Sequence, residues 1–167
     1  MKQFLKFSGL VAFVLALVAF ILLLATNGVV FRYSNLISEA EGTTVLFGKT
    51  THTALGDAVT KASPTALIGW ILVILAMVIL CVGVVMSLLK VKAAEKYAGL
   101  LNLVAVFALV VAGVLVFFTV LGFTGANKVD SDAVKYYHLG GGYVAAAILA
   151  LLAGVVAALP VFLEKKK

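Results

Sequence analysis

Charged residues are scarce in this sequence. They make up 12% of its 167 residues, about half of the roughly 25% that is usual in a soluble domain. Hydrophobic residues account for 64%, against about 45–50% in ordinary soluble domains. There is one cysteine, so no disulfide can form within the chain, and there are only two prolines. This balance excludes a disulfide-stabilised scaffold, a collagen-like or disordered chain and a nucleic-acid-binding protein.

The few charges divide the chain into four long apolar stretches. They contain no Asp, Glu, Lys or Arg and cover residues 7–31, 62–89, 97–127 and 136–163. About 20 apolar residues suffice to cross roughly 30 Å of hydrocarbon as a helix, and backbone groups inside lipid must be bonded internally. We therefore predict an all-α membrane protein, an antiparallel four-transmembrane-helix bundle that forms one integral membrane domain over residues 1–167. The helices are expected at about residues 7–31, 64–89, 97–124 and 136–163.

Basic residues concentrate on one side of the predicted bundle. Four spans place both termini on the same side, together with the loop between the second and third helices. That side holds eight lysines and two glutamates. The opposite side holds five basic and five acidic residues, so the whole net charge of +6 lies with the termini. By the positive-inside rule, we predict a multi-pass plasma-membrane protein with cytoplasmic N and C termini.

The first extracellular loop, about residues 32–63, is the largest segment outside the predicted helices. Residues 43–47 are rich in β-branched and apolar side chains, Gly48 offers a bend, and residues 49–53 continue the same pattern. Residues 29–37 form a weaker third candidate for a strand. Because such composition favours strands, we predict a small antiparallel sheet in this loop.

The end of this loop carries a helix-start signal. Ser63 is followed by Pro64. A serine can accept a hydrogen bond from a free amide of the first turn, and proline suits the first helical position. The second predicted helix is therefore expected to begin at Pro64.

The last predicted helix carries a small residue at every fourth position. In lipid, helices associate through close packing of small residues rather than through the hydrophobic effect. A four-residue spacing keeps these side chains near one face. We therefore predict a helix-packing seam, inside the bundle or between copies of the protein, formed by Gly142, Ala146, Ala150, Gly154 and Ala158.

No catalytic, cofactor-binding or metal site is predicted. The spans lack the ionisable residues that mark pumps and proton relays. His52 and His138 are the only histidines, and two histidines fall short of a zinc pattern. Lys49 follows Gly48 as in a phosphate-binding loop, but the preceding glycine, Gly42, lies one residue too far away. We therefore expect neither an enzyme nor a bound cofactor.

Several short motifs, spread over most of the chain, carry a resemblance to a group of known proteins. The sequence resembles uncharacterised small four-span membrane proteins of Gram-positive bacteria, a group without assigned activity. The motifs are Phe47-Gly48, the run from Ala62 to Ile68, Cys81-Val82-Gly83 and the run from Leu139 to Gly142. The arrangement also resembles that of claudins and related tetraspan proteins, with both ends inside and strands in the first outer loop. Claudins carry a tryptophan and a cysteine pair in that loop, and residues 32–63 contain neither. The resemblance therefore implies claudin-like topology only.

These observations favour a protein that acts through contacts. We expect a non-catalytic tetraspan scaffold, envelope protein or membrane-complex component. The alternative is a channel or transporter subunit that forms a path only on oligomerisation. Expected partners are membrane lipids and other membrane proteins or further copies of the chain, and no nucleic acid. The apolar residues Val45, Leu46 and Phe47 are expected either to contact a partner or to pack on the helix ends.

Overall fold

The computed structural model describes residues 2–53, 56–89 and 92–164. Four of its helices are long and apolar enough to cross a membrane, as the charge-free stretches predict. They are α1 (Lys2–Ala25), α3 (Pro64–Leu88), α4 (Lys92–Phe117) and α7 (Gly141–Glu164). The predicted all-α four-helix fold with small β elements is confirmed, and it is consistent with a multi-pass integral membrane protein.

The remaining elements lie in the two connections at one end of the bundle. They are β1 (Asn27–Tyr33), β2 (Leu36–Glu41), α2 (Gly42–Phe47), β3 (Lys49–Thr53), β4 (Gly56–Thr60), α5 (Thr119–Ala126), α6 (Ser131–Val134) and β5 (Tyr137–Leu139). The strands form an antiparallel three-stranded sheet in the order β2-β1-β5 and a separate β3–β4 hairpin. We call this end, residues 26–63 and 118–140, the sheet side of the protein.

The first loop differs from its predicted structure in two places. The first helix ends at Ala25, and the strand candidate at residues 29–37 forms two strands joined at Ser34, whose φ of 51° suits a tight turn. The strand predicted for residues 43–47 is wrong, because these residues lie in α2. Val45 and Leu46 are both fully buried. Consecutive residues of a strand point to opposite faces, whereas a helix lets both face the bundle.

The third predicted helix is interrupted at its sheet-side end. α4 stops at Phe117 and α5 begins at Thr119. The hydroxyl of Ser63 donates to the carbonyl oxygen of Thr119, and that of Thr65 donates to the carbonyl oxygen of Phe118, each at 3.1 Å. These hydroxyls come from the start of α3 and satisfy carbonyl groups at the break.

The start of α3 has the predicted cap. The helix begins at Pro64, and the amide of Ala66 donates to the hydroxyl oxygen of Ser63 at 3.4 Å. The chain therefore enters this helix as the residue pair Ser63-Pro64 indicates.

The bundle is packed through small side chains. α1 packs against α3 and α7, and α4 packs against the same two helices. Alanine dominates the interior towards the chain termini, where the fully buried positions include Ala12, Ala16, Ala76, Ala105, Ala112 and Ala153. Large apolar side chains such as Phe107 and Ile71 point outward. Small residues inside and large apolar residues outside are typical of helices that associate in lipid.

Candidate functional site

The first loop is fixed to the helix ends around one buried tyrosine. Tyr143 in α7 is fully buried, and its hydroxyl donates to the carbonyl oxygen of Gly42 at 3.3 Å. Gly28 lies against the ring, since a Cβ there would be 2.8 Å from the Cζ atom of Tyr143. A Cβ on Gly42 would overlap with the carbonyl oxygen of Leu23. The start of α2 therefore packs closely against the ends of α1 and α7, and neither Gly28 nor Gly42 has room for a side chain.

A single amide side chain joins the first and second connections. The Oδ1 atom of Asn127 accepts a hydrogen bond from the backbone N–H of Lys61 at 2.7 Å. Its Nδ2 group donates to the carbonyl oxygens of Lys61 at 3.0 Å and of Phe123 at 2.9 Å. The side chain of Asn127 therefore forms the same two hydrogen bonds with the backbone of Lys61 that a peptide group of a neighbouring strand would form. These bonds fix the end of the β3–β4 hairpin to α5.

A cleft separates the three-stranded sheet from the β3–β4 hairpin. Its volume is about 370 Å³. The lining residues are Val29, Phe31, Ser38, Glu39, Ala40, Glu41, Thr44, Lys49, Thr60, Phe123 and Tyr137. A shallower cavity of about 230 Å³ shares Glu41, Thr44 and Lys49 with it and extends to Phe47. We call the larger space the inter-sheet cleft.

Strand register explains the apolar floor of the inter-sheet cleft. Phe31 pairs with Ser38 on one side and with Tyr137 on the other, and Val29 pairs with Ala40. Directly paired residues of antiparallel strands lie on the same face of a sheet. The ring of Phe31 is 5.0 Å from that of Tyr137, measured between centroids. One face of the sheet therefore supplies an apolar and aromatic floor.

Charged groups lie at the rim of the inter-sheet cleft. Glu39 accepts a hydrogen bond from the side-chain amide of Asn27. Glu41 and Lys49 are exposed, and neither forms an ion pair among the side chains that the structure describes. The border of the cleft carries one cation and two carboxylates, so its net charge is negative and favours a ligand with basic groups.

The candidate contact residues of α2 have different environments. Val45 and Leu46 are fully buried in a cluster with Leu23 and Tyr143. Phe47 is 55% exposed and lies edge-on against Trp70, with ring centroids 5.3 Å apart. Of the three, only Phe47 offers a surface that a partner can reach.

The small residues of α7 lie on its packed side to different extents. Ala146, Ala150 and Gly154 are buried, whereas Gly142 and Ala158 are half-buried. The buried face also includes Tyr143, Ala147, Ala153 and Ala157. An α-helix has about 3.6 residues per turn, so a strict four-residue spacing drifts by roughly 40° at each step. The buried residues of α7 are therefore spaced by three or four positions along the helix, rather than always by four.

Sequence reasoning missed the inter-sheet cleft. Its floor is formed by Val29, Phe31, Phe123 and Tyr137, which come from three separate segments. The available signals were the alternation of Val29 and Phe31 and the aromatic residue Tyr137 just before the last helix. Neither signal identifies its partner along the chain.

No protein-family model matches the chain, and no curated protein is similar enough to be a relative.

Proposed function

We propose that this protein is a non-catalytic tetraspan component of a membrane complex that acts by protein–protein contacts on its sheet side. The main support is the tip of the β1–β2 hairpin, which lies outside the membrane-spanning helices. Tyr33 is 50% exposed there, and Leu36 and Ile37 are each 66% exposed. Large apolar side chains clustered on a surface in water mark interaction sites.

The interior of the bundle favours contacts over conduction. A conducting path needs polar groups or water-filled width along a span. The buried positions of the helices are mostly alanine, and Gly113 packs so closely that a Cβ there would lie 2.7 Å from the Cγ atom of Leu151. These features support close helix contact rather than a lumen.

The proposal includes an orientation and a location. The termini face the cytoplasm, and the sheet side faces outward across the plasma membrane. The support is the position of the net charge of +6, which belongs to the side with the termini. Kinship with the small four-span proteins of Gram-positive bacteria, with a topology like that of claudins, is part of the same proposal and is supported by the motifs and by the strands of the first loop.

A two-part experiment tests the proposed function. Purified protein in liposomes is expected to carry no ion current and no solute flux. Conductance that depends on the protein and is abolished by changing Asn102 or His138 would favour the channel alternative. In cells, L36S/I37S is expected to weaken the association of the protein with its membrane complex in blue native gels. The control is Ser131→Ala, an exposed polar position in α6.

A further inference from the structure

We propose that the free edge of β2, which borders the inter-sheet cleft, binds an extended polypeptide segment of a partner protein as an added strand. This inference rests on the proposed function, because it names the class of partner segment and the site that a contact protein would use.

The edge of β2 is available for pairing. β2 is the outermost strand in the order β2-β1-β5, and no further strand pairs with it within residues 2–53, 56–89 and 92–164. Residues from Leu36 to Glu39 are exposed along its length. An edge strand presents a row of N–H and C=O groups that can pair with another chain. Strand addition to such an edge is a recurrent mode of peptide recognition.

The inter-sheet cleft borders the second half of β2. Ser38 to Glu41 of β2 contribute to the lining of the cleft, and the paired residues Lys49 and Thr60 of the hairpin also contribute to it. Four residues of strand extend for roughly 13 Å at about 3.3 Å per residue. The site therefore matches a short extended segment rather than a helix.

Strand alternation specifies the side chains of the segment. Ser38 and Ala40 share a face with the apolar floor, because they pair with Phe31 and Val29. Glu39 points to the opposite face, since successive residues of a strand alternate. A segment added beside β2 therefore places apolar residues next to Leu36 and Ala40, on the face that carries the floor, and basic residues next to Glu39 on the other face, in strict alternation.

The charges of β2 select against a second copy of this protein as the occupant. Pairing two β2 edges would bring the carboxylates of Glu39 and Glu41 close to those of the other copy. Like charges that face each other across strands are destabilising, and charged edge strands prevent self-pairing. The same carboxylates attract a basic segment, so a different protein is the expected partner.

Peptide binding to the full chain in nanodiscs of zwitterionic lipid tests the inference. The probes are fluorescent hexapeptides, acetylated and amidated, in which Lys alternates with Val, Leu or Phe. Two N-methylated isomers of each probe block the N–H groups on one edge or on the other. We expect one isomer to bind about tenfold more weakly, because it loses the hydrogen bonds to β2, while the other binds like the parent peptide.

Charge reversal supplies the matched control. Glu39→Lys and Glu41→Lys are expected to weaken binding of the Lys peptides and to permit binding of their Glu counterparts. Asp132→Lys makes the same change of charge in α6 and should leave binding unchanged. Empty nanodiscs measure adsorption to lipid.

The inference is overturned if no peptide binds, if both isomers bind alike, or if Asp132→Lys acts like Glu39→Lys and Glu41→Lys. If these tests fail while L36S/I37S still weakens the complex, the contact function stands without strand addition, whereas protein-dependent conductance would overturn the proposed function itself.

Discussion

The hydroxyl of Tyr143, near the start of the last helix, donates a hydrogen bond to the carbonyl oxygen of Gly42 in the first loop, 101 positions earlier in the chain. Both groups are buried. The bond joins the end of the bundle to the segment that carries the hairpin and the inter-sheet cleft. The stability of the sheet side should therefore depend on it.

Tyr143→Phe removes this bond and leaves a buried carbonyl group without its partner. We expect the free energy of unfolding to fall by about 1–3 kcal/mol, the usual cost of leaving a buried polar group without its hydrogen-bond partner. Thermal melting in detergent, followed by near-ultraviolet circular dichroism, measures the change. Tyr33→Phe is the control, because Tyr33 is 50% exposed. Equal melting of the two variants would contradict the prediction.

Two adjacent glycines should respond in opposite ways to alanine. A Cβ on Gly140 would overlap with the carbonyl oxygen of Asn27, whereas a Cβ on Gly141 would meet nothing within 4 Å. Gly140→Ala should therefore destabilise the protein, because the backbone must move. Gly141→Ala should be neutral or stabilising, since alanine restricts the unfolded chain more than glycine does. Thermal melting of both variants tests this difference. A similar fall in melting temperature in each would show that steric overlap at Gly140 is not the cause of the destabilisation.

Asn127→Ala removes the two hydrogen bonds that fix the end of the β3–β4 hairpin to α5, together with the bond to Phe123 within α5. We expect faster hydrogen exchange at the backbone amide of Lys61, which donates to the Asn127 side chain. The increase should be local, because the helices retain their packing. Asn35→Ala is the matched control in the exposed β1–β2 turn. Unchanged exchange at Lys61 in Asn127→Ala would show that this amide is protected by other contacts.

The predicted seam of α7 can be tested by overpacking. Ala150 is buried and Val155 is exposed on the same helix. Ala150→Leu should destabilise the bundle by about 1–3 kcal/mol, the usual cost of inserting extra methylene groups into a packed interior. Val155→Leu should have little effect. The readout is the temperature at which the detergent-solubilised protein aggregates, and parental behaviour of Ala150→Leu would reject the seam.

Orientation follows from the reactivity of introduced cysteines. Cys81 is the only cysteine, so Cys81→Ser provides a clean background. Lys49→Cys should react with a membrane-impermeant maleimide in intact cells. Lys92→Cys should react only after lysis. Labelling of Lys92→Cys in intact cells would reverse the proposed topology.

Local sequence properties predict the helices well. Charge-free length is a property of one segment, and lipid leaves such a segment no alternative to a helix. α2 was missed because it packs against α1 and α3 and buries Val45 and Leu46, and such tertiary packing overrides the β propensity of these residues. The break at Phe118 was missed for a similar reason, since its hydrogen-bond donor, Thr65, lies 53 positions away.

The site is harder to predict than the fold. β5 has three residues and depends on pairing with β1, which is remote in the chain. The inter-sheet cleft needs this pairing as well as the hairpin position that Asn127 fixes. The amino-acid composition contains no information about these long-range contacts, so the cleft can be identified only from the three-dimensional structure.

The junctions between the three-stranded sheet and two of the helices have a mechanical consequence. Thr26 alone separates α1 from β1, and Gly140 alone separates β5 from α7. The amide of Gly140 donates to the carbonyl oxygen of Gly28 at 2.9 Å, so the two junctions are themselves bonded. The sheet is therefore joined to α1 and α7 without a flexible linker at either junction. Force applied to the β1–β2 hairpin should pass directly into the sheet-side ends of these two helices.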